Sequence, residues 1–292
     1  MRVGFLGLGL MGAPIASRLI AASFELRLWN RTRSKAEEVA MLGGTVVDEA
    51  RDAVRGADVV FLCLTDARAL EETIFSSSGI AAVLEHGAVV IDLSTSSPDA
   101  AQSFAARLTQ IGWLDCPVSG GVAGAQAGTL TLLIGGEQGD IARVAPLLDK
   151  ISTRRTHLGP AGAGQAAKLC NQLIVSANLI AIAEAVALGR SLGVDVERLP
   201  EALSGGFADS LPLRVFGPRM ASGGRLGSPA GAIATMAKDT RAIRKVSAAS
   251  EAPDLPLTRE VAKLFDQLVE QGHGEKDLAG IIALQGEELN DG

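Results

Sequence analysis

Val3-Gly4-Phe5-Leu6-Gly7-Leu8-Gly9-Leu10-Met11-Gly12 opens the chain and decides how the rest is read. A short apolar run of strand character ends at Gly7, and the pattern G-x-G-x-x-G then leads into Pro14 to Ala22, whose apolar spacing predicts a helix. Strand, glycine turn and helix in that order suit a dinucleotide. Glycines allow a tight turn, close backbone approach to a pyrophosphate and close helix-to-strand packing, while amides at the helix start face the anion. Gly7, Gly9 and Gly12, with Leu10 and Met11 between them, are therefore the first candidate cofactor-binding residues. Outside this context the same six residues would be only a tight strand-to-helix turn.

Working outward, Glu25 to Trp29, Asp58 to Leu64 and Ala88 to Leu93 read as further strands, and Arg33 to Leu42 and Pro98 to Ile111 as helices between them. Regular alternation predicts an α/β Rossmann domain, a doubly wound parallel sheet covered on both faces. Trp113 to Cys116 and Leu130 to Ile134 continue the strand pattern. The turn-rich Gly159-Pro160-Ala161-Gly162-Ala163-Gly164 marks a boundary, giving domains of 1–161 and 162–292. Gln165 to Arg190 then reads as one long helix, apolar on most faces, joining an all-α C-terminal domain. Breaks fall at Gly205-Gly206, Gly223-Gly224, Gly227 to Gly231 and Pro253 to Pro256.

Composition narrows the function. The 292 residues carry 27 basic and 33 acidic side chains, a net charge of −6, with no basic block to attract nucleic acid or an anionic membrane. Leu173 to Leu188, the most apolar later run, falls short of a bilayer span and contains Ser176, Asn178 and Glu184, so no membrane segment is expected. Cys63, Cys116 and Cys170 form an odd set in apolar surroundings and read as reduced; with an N-terminus that fits strand and turn better than signal peptide, they imply a cytoplasmic chain. His86, His157 and His273 sit in no recognisable pattern, and no metal site is expected.

About 20 residues beyond the glycine motif, an acidic side chain would hold the ribose hydroxyls of NAD. Here the chain reads Trp29-Asn30-Arg31-Thr32. Without a carboxylate, Arg31 and Thr32 can receive a 2′-phosphate through charge-assisted bonds, which favours NADP. If Arg31 is merely solvated and Asn30 alone meets the ribose, NAD is usable too.

Four later segments, Asp92-Leu93-Ser94-Thr95, Asp115-Cys116-Pro117-Val118-Ser119-Gly120-Gly121, Gly162-Ala163-Gly164-Gln165-Ala166-Ala167-Lys168 and Lys238-Asp239, complete a set that resembles the β-hydroxyacid dehydrogenase family over nearly the whole chain. Lys168-Leu169-Cys170-Asn171-Gln172 and Gly205 to Ser210 look most like the branch that reduces tartronate semialdehyde to glycerate. The resemblance implies reversible hydride transfer between NAD(P)(H) and a small semialdehyde acid or 3-hydroxyacid. Other branches act on 3-hydroxyisobutyrate, serine-like substrates, glyoxylate or succinic semialdehyde, and a non-catalytic dinucleotide-binding protein is the rival of a different class.

Lys168 lies one turn into an apolar helix, where desolvation would lower its pKa toward a range useful for proton transfer; a lysine snorkelling to solvent is the plainer reading. The resemblance makes it the catalytic residue. Asn171 and Gln172, at i+3 and i+4, share its helix face and are candidates to orient substrate, although many relatives carry Asn where this chain has Gln172. Ser119, Gly120 and Gly121 offer backbone amides suited to a substrate carboxylate. Ser97 and Pro98 read as a helix N-cap and first position. By resemblance, the neighbouring Thr95 lies near the nicotinamide, and Leu64 and Thr65 belong to a cofactor loop. It also brings Lys238 toward the cofactor, with Asp239 in support, around a cleft between the domains. Relatives often have an aromatic seven residues before this lysine, where this chain has Gly231. A homodimer or homotetramer is implied.

Overall fold

A computed structural model describes residues 1–223, 231–249 and 254–286. Its first compact unit is Met1–Lys168 and its second Leu169–Gly292. The breaks expected at Gly224, at Gly227 to Ala230 and at Pro253 lie outside the described residues.

The first unit is built on β1 (Arg2–Leu6), β2 (Glu25–Trp29), β3 (Thr45–Val46), β4 (Val59–Leu62), β5 (Val89–Asp92), β6 (Gly112–Asp115), β7 (Val118–Ser119), β8 (Leu130–Gly135) and β9 (Ser152–Gly159). Between them run α1 (Gly12–Ala21), α2 (Arg33–Ala40), α3 (Ala50–Val54), α4 (Ala67–Phe75), α5 (Pro98–Arg107), α6 (Gly121–Ala127) and α7 (Gln138–Ile151). The sheet order is β3-β2-β1-β4-β5-β6-β8-β7, with β9 on β8. The first six strands of this order are parallel, the doubly wound arrangement with its switch between β1 and β4. Beyond β6 the sheet turns mixed: β8 runs antiparallel to β6 and β7, and β9 parallel to β8.

Both faces of the parallel part are buried, so its strands are continuously apolar. Val3, Phe5, Val59, Phe61, Val89 and Ile91 pack on one face; Leu6, Val60, Leu62 and Val90 pack on the other. Phe5 and Phe61 stack with ring centroids 5.5 Å apart. β9 was not expected: Ser-Thr-Arg-Arg-Thr-His-Leu-Gly has no apolar alternation, and it forms because β8 offers backbone donors and acceptors that must be paired.

α8 (Ala163–Ser191) begins in the first unit and extends beyond the expected helix at both ends. Its 29 residues make it, among the described residues, the one helix long and apolar enough to cross a bilayer by length and composition alone, longer than the run the sequence suggested. Leu179, Ala183 and Val186 within it are buried in the second unit's core, the pattern of a core helix. That core is completed by α10 (Leu211–Ala221), α11 (Ile233–Ala249), α12 (Pro256–Glu270) and a 3-10 segment, Leu278–Gln285; the short α9 (Leu199–Ala202) precedes α10.

Candidate active site

The three motif glycines have three different reasons to be glycine. Gly7 has φ +99°, donates to Trp29 O at 3.0 Å, and would place a Cβ 2.2 Å from Cys63 O. At Gly12 a Cβ would stand 1.9 Å from Gly7 O, so α1 packs closely on the turn. Nothing lies within 4 Å of a Cβ at Gly9, so that backbone is open to a ligand. The amides of Gly9, Leu10 and Met11 donate to no acceptor among the described residues, and Leu10 is exposed. An open backbone with unspent amides at a helix start fits a dinucleotide pyrophosphate.

Asn30 braces this loop. Its Oδ1 accepts from Leu8 N at 2.8 Å and its Nδ2 donates to Thr32 O at 2.8 Å. Arg31 and Thr32 are exposed, and Arg31 pairs with no described residue, whereas Arg33 is engaged by Glu37 and Asp48.

At the carboxyl ends of β4, β5 and β6, where ligands of such sheets bind, side chains tie loops together. Leu64 N donates to Ser94 Oγ at 2.9 Å, and Ser94 N donates to Asp92 Oδ1 at 2.9 Å. Thr65 is exposed and Thr95 half-buried between the buried Ser94 and Ser96. Ser97 caps α5, accepting from Ala100 N at 3.2 Å with Pro98 next, as the sequence predicts. Asp115 accepts from Gly162 N at 2.7 Å and from Gln165 N at 2.8 Å, so a carboxylate on β6 caps the start of α8. Gln165 is fully buried; its Nε2 donates to Ser94 O at 2.8 Å and its Oε1 accepts from Ser96 N at 3.0 Å. Burial raises Asp92 to about 7, against hydrogen bonds from Ser94 that lower it and with the charge of Asp115 adding to the rise.

Lys168, one turn beyond Gln165, donates from Nζ to Val118 O at 3.1 Å. That carbonyl immediately precedes Ser119, Gly120 and Gly121, so the ammonium and the glycine segment are neighbours. Gly120 has φ +129° and Gly121 φ +61°, and Gly121 lies open, with nothing within 4 Å of a Cβ there.

In the second unit Asn171 donates to Gln172 Oε1 at 2.8 Å, Gln172 donates to Asp239 Oδ2 at 2.6 Å, and Lys238 Nζ stands 3.7 Å from Asp239 Oδ1. Asp239 is buried and Lys238 half-exposed. Gln172 is thus spent on its neighbours, while Asn171 Oδ1 accepts from no described residue. Gly231 O accepts from Leu278 N at 2.9 Å, and a Cβ at Gly231 would lie 3.1 Å from Leu278 Cδ1, so a larger residue there would press on that side chain.

Asp92, Asp115 and Gln165 occur in the motifs, but sequence reasoning gave them no work. A signal existed: a lone acid closing an otherwise apolar strand, twice in adjacent strands. Their pairing register, Asp92 opposite Asp115, is a tertiary fact.

Residues 2–159 match the model of the NAD-binding domain of 6-phosphogluconate dehydrogenase, and residues 162–285 that of the NAD-binding domain of NADP-dependent 3-hydroxyisobutyrate dehydrogenase. The chain is 34% identical to 2-hydroxy-3-oxopropionate reductase of Escherichia coli (strain K12), over 97% of this chain and 96% of that one. It is also 34% identical to NAD-dependent L-serine dehydrogenase of Pseudomonas aeruginosa, over 97% of each. Among solved structures, Mycobacterium tuberculosis 3-hydroxyisobutyrate dehydrogenase with L-serine is similar, at a TM-score of 0.88 and 31% identity over 97% of this chain and 98% of that one. A phosphate-ready glycine turn followed by an amine-bearing helix, matched end to end by these relatives, means that the chain belongs to the β-hydroxyacid dehydrogenase family of NAD(P)-dependent oxidoreductases.

Proposed function

We propose that this enzyme reduces tartronate semialdehyde (2-hydroxy-3-oxopropionate) reversibly to glycerate, using NADPH in preference to NADH. The observation that carries the reading is Lys168 Nζ held at 3.1 Å from Val118 O, the carbonyl just before the backbone amides of Ser119, Gly120 and Gly121, where Gly121 lies open. In this reading Ser119 and those amides take the substrate carboxylate, leaving the aldehyde oxygen toward the lysine. Lys168 gives its proton to that oxygen during reduction and takes the hydroxyl proton during oxidation. A nicotinamide held there would supply or accept the hydride. Asn171, whose Oδ1 has no described partner, orients the substrate, while Gln172 and Asp239 hold the helix face behind it. Gly7, Gly9, Leu10, Met11 and Gly12 would hold the pyrophosphate, with Leu64, Thr65 and Thr95 toward the nicotinamide end. Exposed Arg31 and Thr32, in a segment after β2 whose own residues Asn30 to Thr32 include no acid, support the 2′-phosphate. Exposed Ile174, Leu188 and Leu192 support a homodimer or homotetramer.

The relative named for L-serine is as similar as the one named for 2-hydroxy-3-oxopropionate, so the test is a panel. Tartronate semialdehyde, glyoxylate, succinic semialdehyde, 3-hydroxyisobutyrate and L-serine are assayed with both cofactors, for the native enzyme and Lys168→Ala. We expect the highest kcat/KM for tartronate semialdehyde with NADPH, and a fall of about 100-fold or more in kcat for Lys168→Ala with cofactor affinity kept. Near-native turnover in that variant overturns the assignment of Lys168; another preferred substrate overturns the tartronate reading.

A further inference from the structure

We infer that Gln165 is a positioning residue for the reaction, clamping the backbone on either side of Thr95 to the turn of helix that presents Lys168. The inference rests on the reading of Lys168 as the proton donor, and its geometry lies wholly within the first unit.

The side-chain amide of Gln165 behaves like a short piece of neighbouring strand. It donates to Ser94 O at 2.8 Å and accepts from Ser96 N at 3.0 Å, bracketing Thr95 with both its groups. Its backbone is fixed independently, because Asp115 accepts from the amides of Gly162 and Gln165. The residue thus has its own position set from β6 and sets the loop after β5. From that loop Ser94 Oγ reaches Leu64 N, so the ends of three adjacent strands and the start of α8 form one hydrogen-bonded unit. Three residues on stands Lys168, with no residue that breaks the helix between them.

A glutamine needed only to fill space would be replaceable by an apolar side chain of its size. This one is fully buried and satisfies two backbone groups that have no strand partner, which leaves it little freedom. Both ends of the clamp lie where the proposed reaction needs fixed distances: the lysine that moves the proton, and the loop at the carboxyl edge of the sheet where the dinucleotide binds. A shift of about 1 Å between groups that must meet in the transition state can cost on the order of 100-fold in rate while leaving binding nearly intact.

The test compares the native enzyme with Gln165→Leu, Gln165→Glu and Lys168→Ala. For Gln165→Leu, folded by circular dichroism, we expect kcat lowered about ten- to a hundredfold. The NADPH dissociation constant, read by fluorescence without turnover, should change less than about threefold, since the glycine loop is untouched. Hydrogen exchange in a peptide spanning 94–97 should quicken by about tenfold. In Gln165→Glu an ionised carboxylate cannot donate to Ser94 O, but a protonated one can, so its kcat relative to the native enzyme should recover as pH falls from 8 to 6. A folded Gln165→Leu with near-native kcat, with unchanged exchange, or with kcat and cofactor affinity lost together, overturns the inference. Should that variant not fold, a pH-independent ratio for Gln165→Glu overturns it. If the native enzyme turns over no panel substrate, or Lys168→Ala retains turnover, the reading of Lys168 falls and takes this inference with it. If Lys168→Ala is inactive and Gln165→Leu is not, only the positioning role falls.

Discussion

Asp92 ends a strand whose other residues are all apolar, and burial raises its pKa from 3.8 to about 7. In the unfolded chain it ionises near its ordinary value; in the folded protein it holds its proton until near neutrality. Below about pH 4 both states are protonated and this group contributes no penalty. Between about 4 and 7 the folded state binds more protons than the unfolded one, so stability falls as pH rises, and the loss is complete above the folded value, at most about 4 kcal/mol for a shift of this size. Asn at this position keeps an oxygen for Ser94 N and cannot titrate. The melting temperature of Asp92→Asn should therefore gain on the native protein from pH 4.5 to 8. A constant difference across that range would mean that Asp92 ionises normally in the fold. Asn30 illustrates the other lesson of this scale: sequence spacing located it at the ribose end of the cofactor loop, but its amide is used to hold Leu8 and Thr32.

At the scale of the element, the strand-to-helix turn separates stability from affinity. A methyl group at Gly12 meets a backbone oxygen that cannot move away without unwinding the turn; at Gly9 it meets open space. Gly12→Ala should cost about 1–3 kcal/mol, a drop of several degrees in Tm. Gly9→Ala should leave Tm within about a degree, because its effect lies below about 0.5 kcal/mol, while weakening NADPH binding about tenfold or more by filling the space through which the pyrophosphate approaches. Calorimetry and fluorescence titration of the two variants check this; equal effects on both readouts would reject the division of labour. The start of α5 was legible because Ser97 and Pro98 act locally. The cap of α8 was not, since its carboxylate comes from Asp115, 50 residues before Gln165.

For the whole molecule, the three cysteines were read as reduced thiols, and the fold distinguishes them. Desolvation raises the half-buried Cys63 thiol to about 12 and pushes the buried Cys116 up as well, whereas Cys170 is exposed on α8. Titration with an aromatic disulfide should find no more than one reactive thiol per chain in the native protein and all three after denaturation. Rapid native labelling of Cys63 or Cys116 would contradict that packing. The sequence by itself determined the alternating α/β unit, its glycine turn, the long helix and the family, because each of these is written in local periodicity and in the spacing of residues along the chain. Only the tertiary structure decided that the sheet turns antiparallel after β6, that Gln172 is bound to Asp239, and that Gln165 clamps the loop around Thr95. Those are pairings between residues tens of positions apart, and a hydrogen bond of that kind leaves no period in the sequence to reveal it.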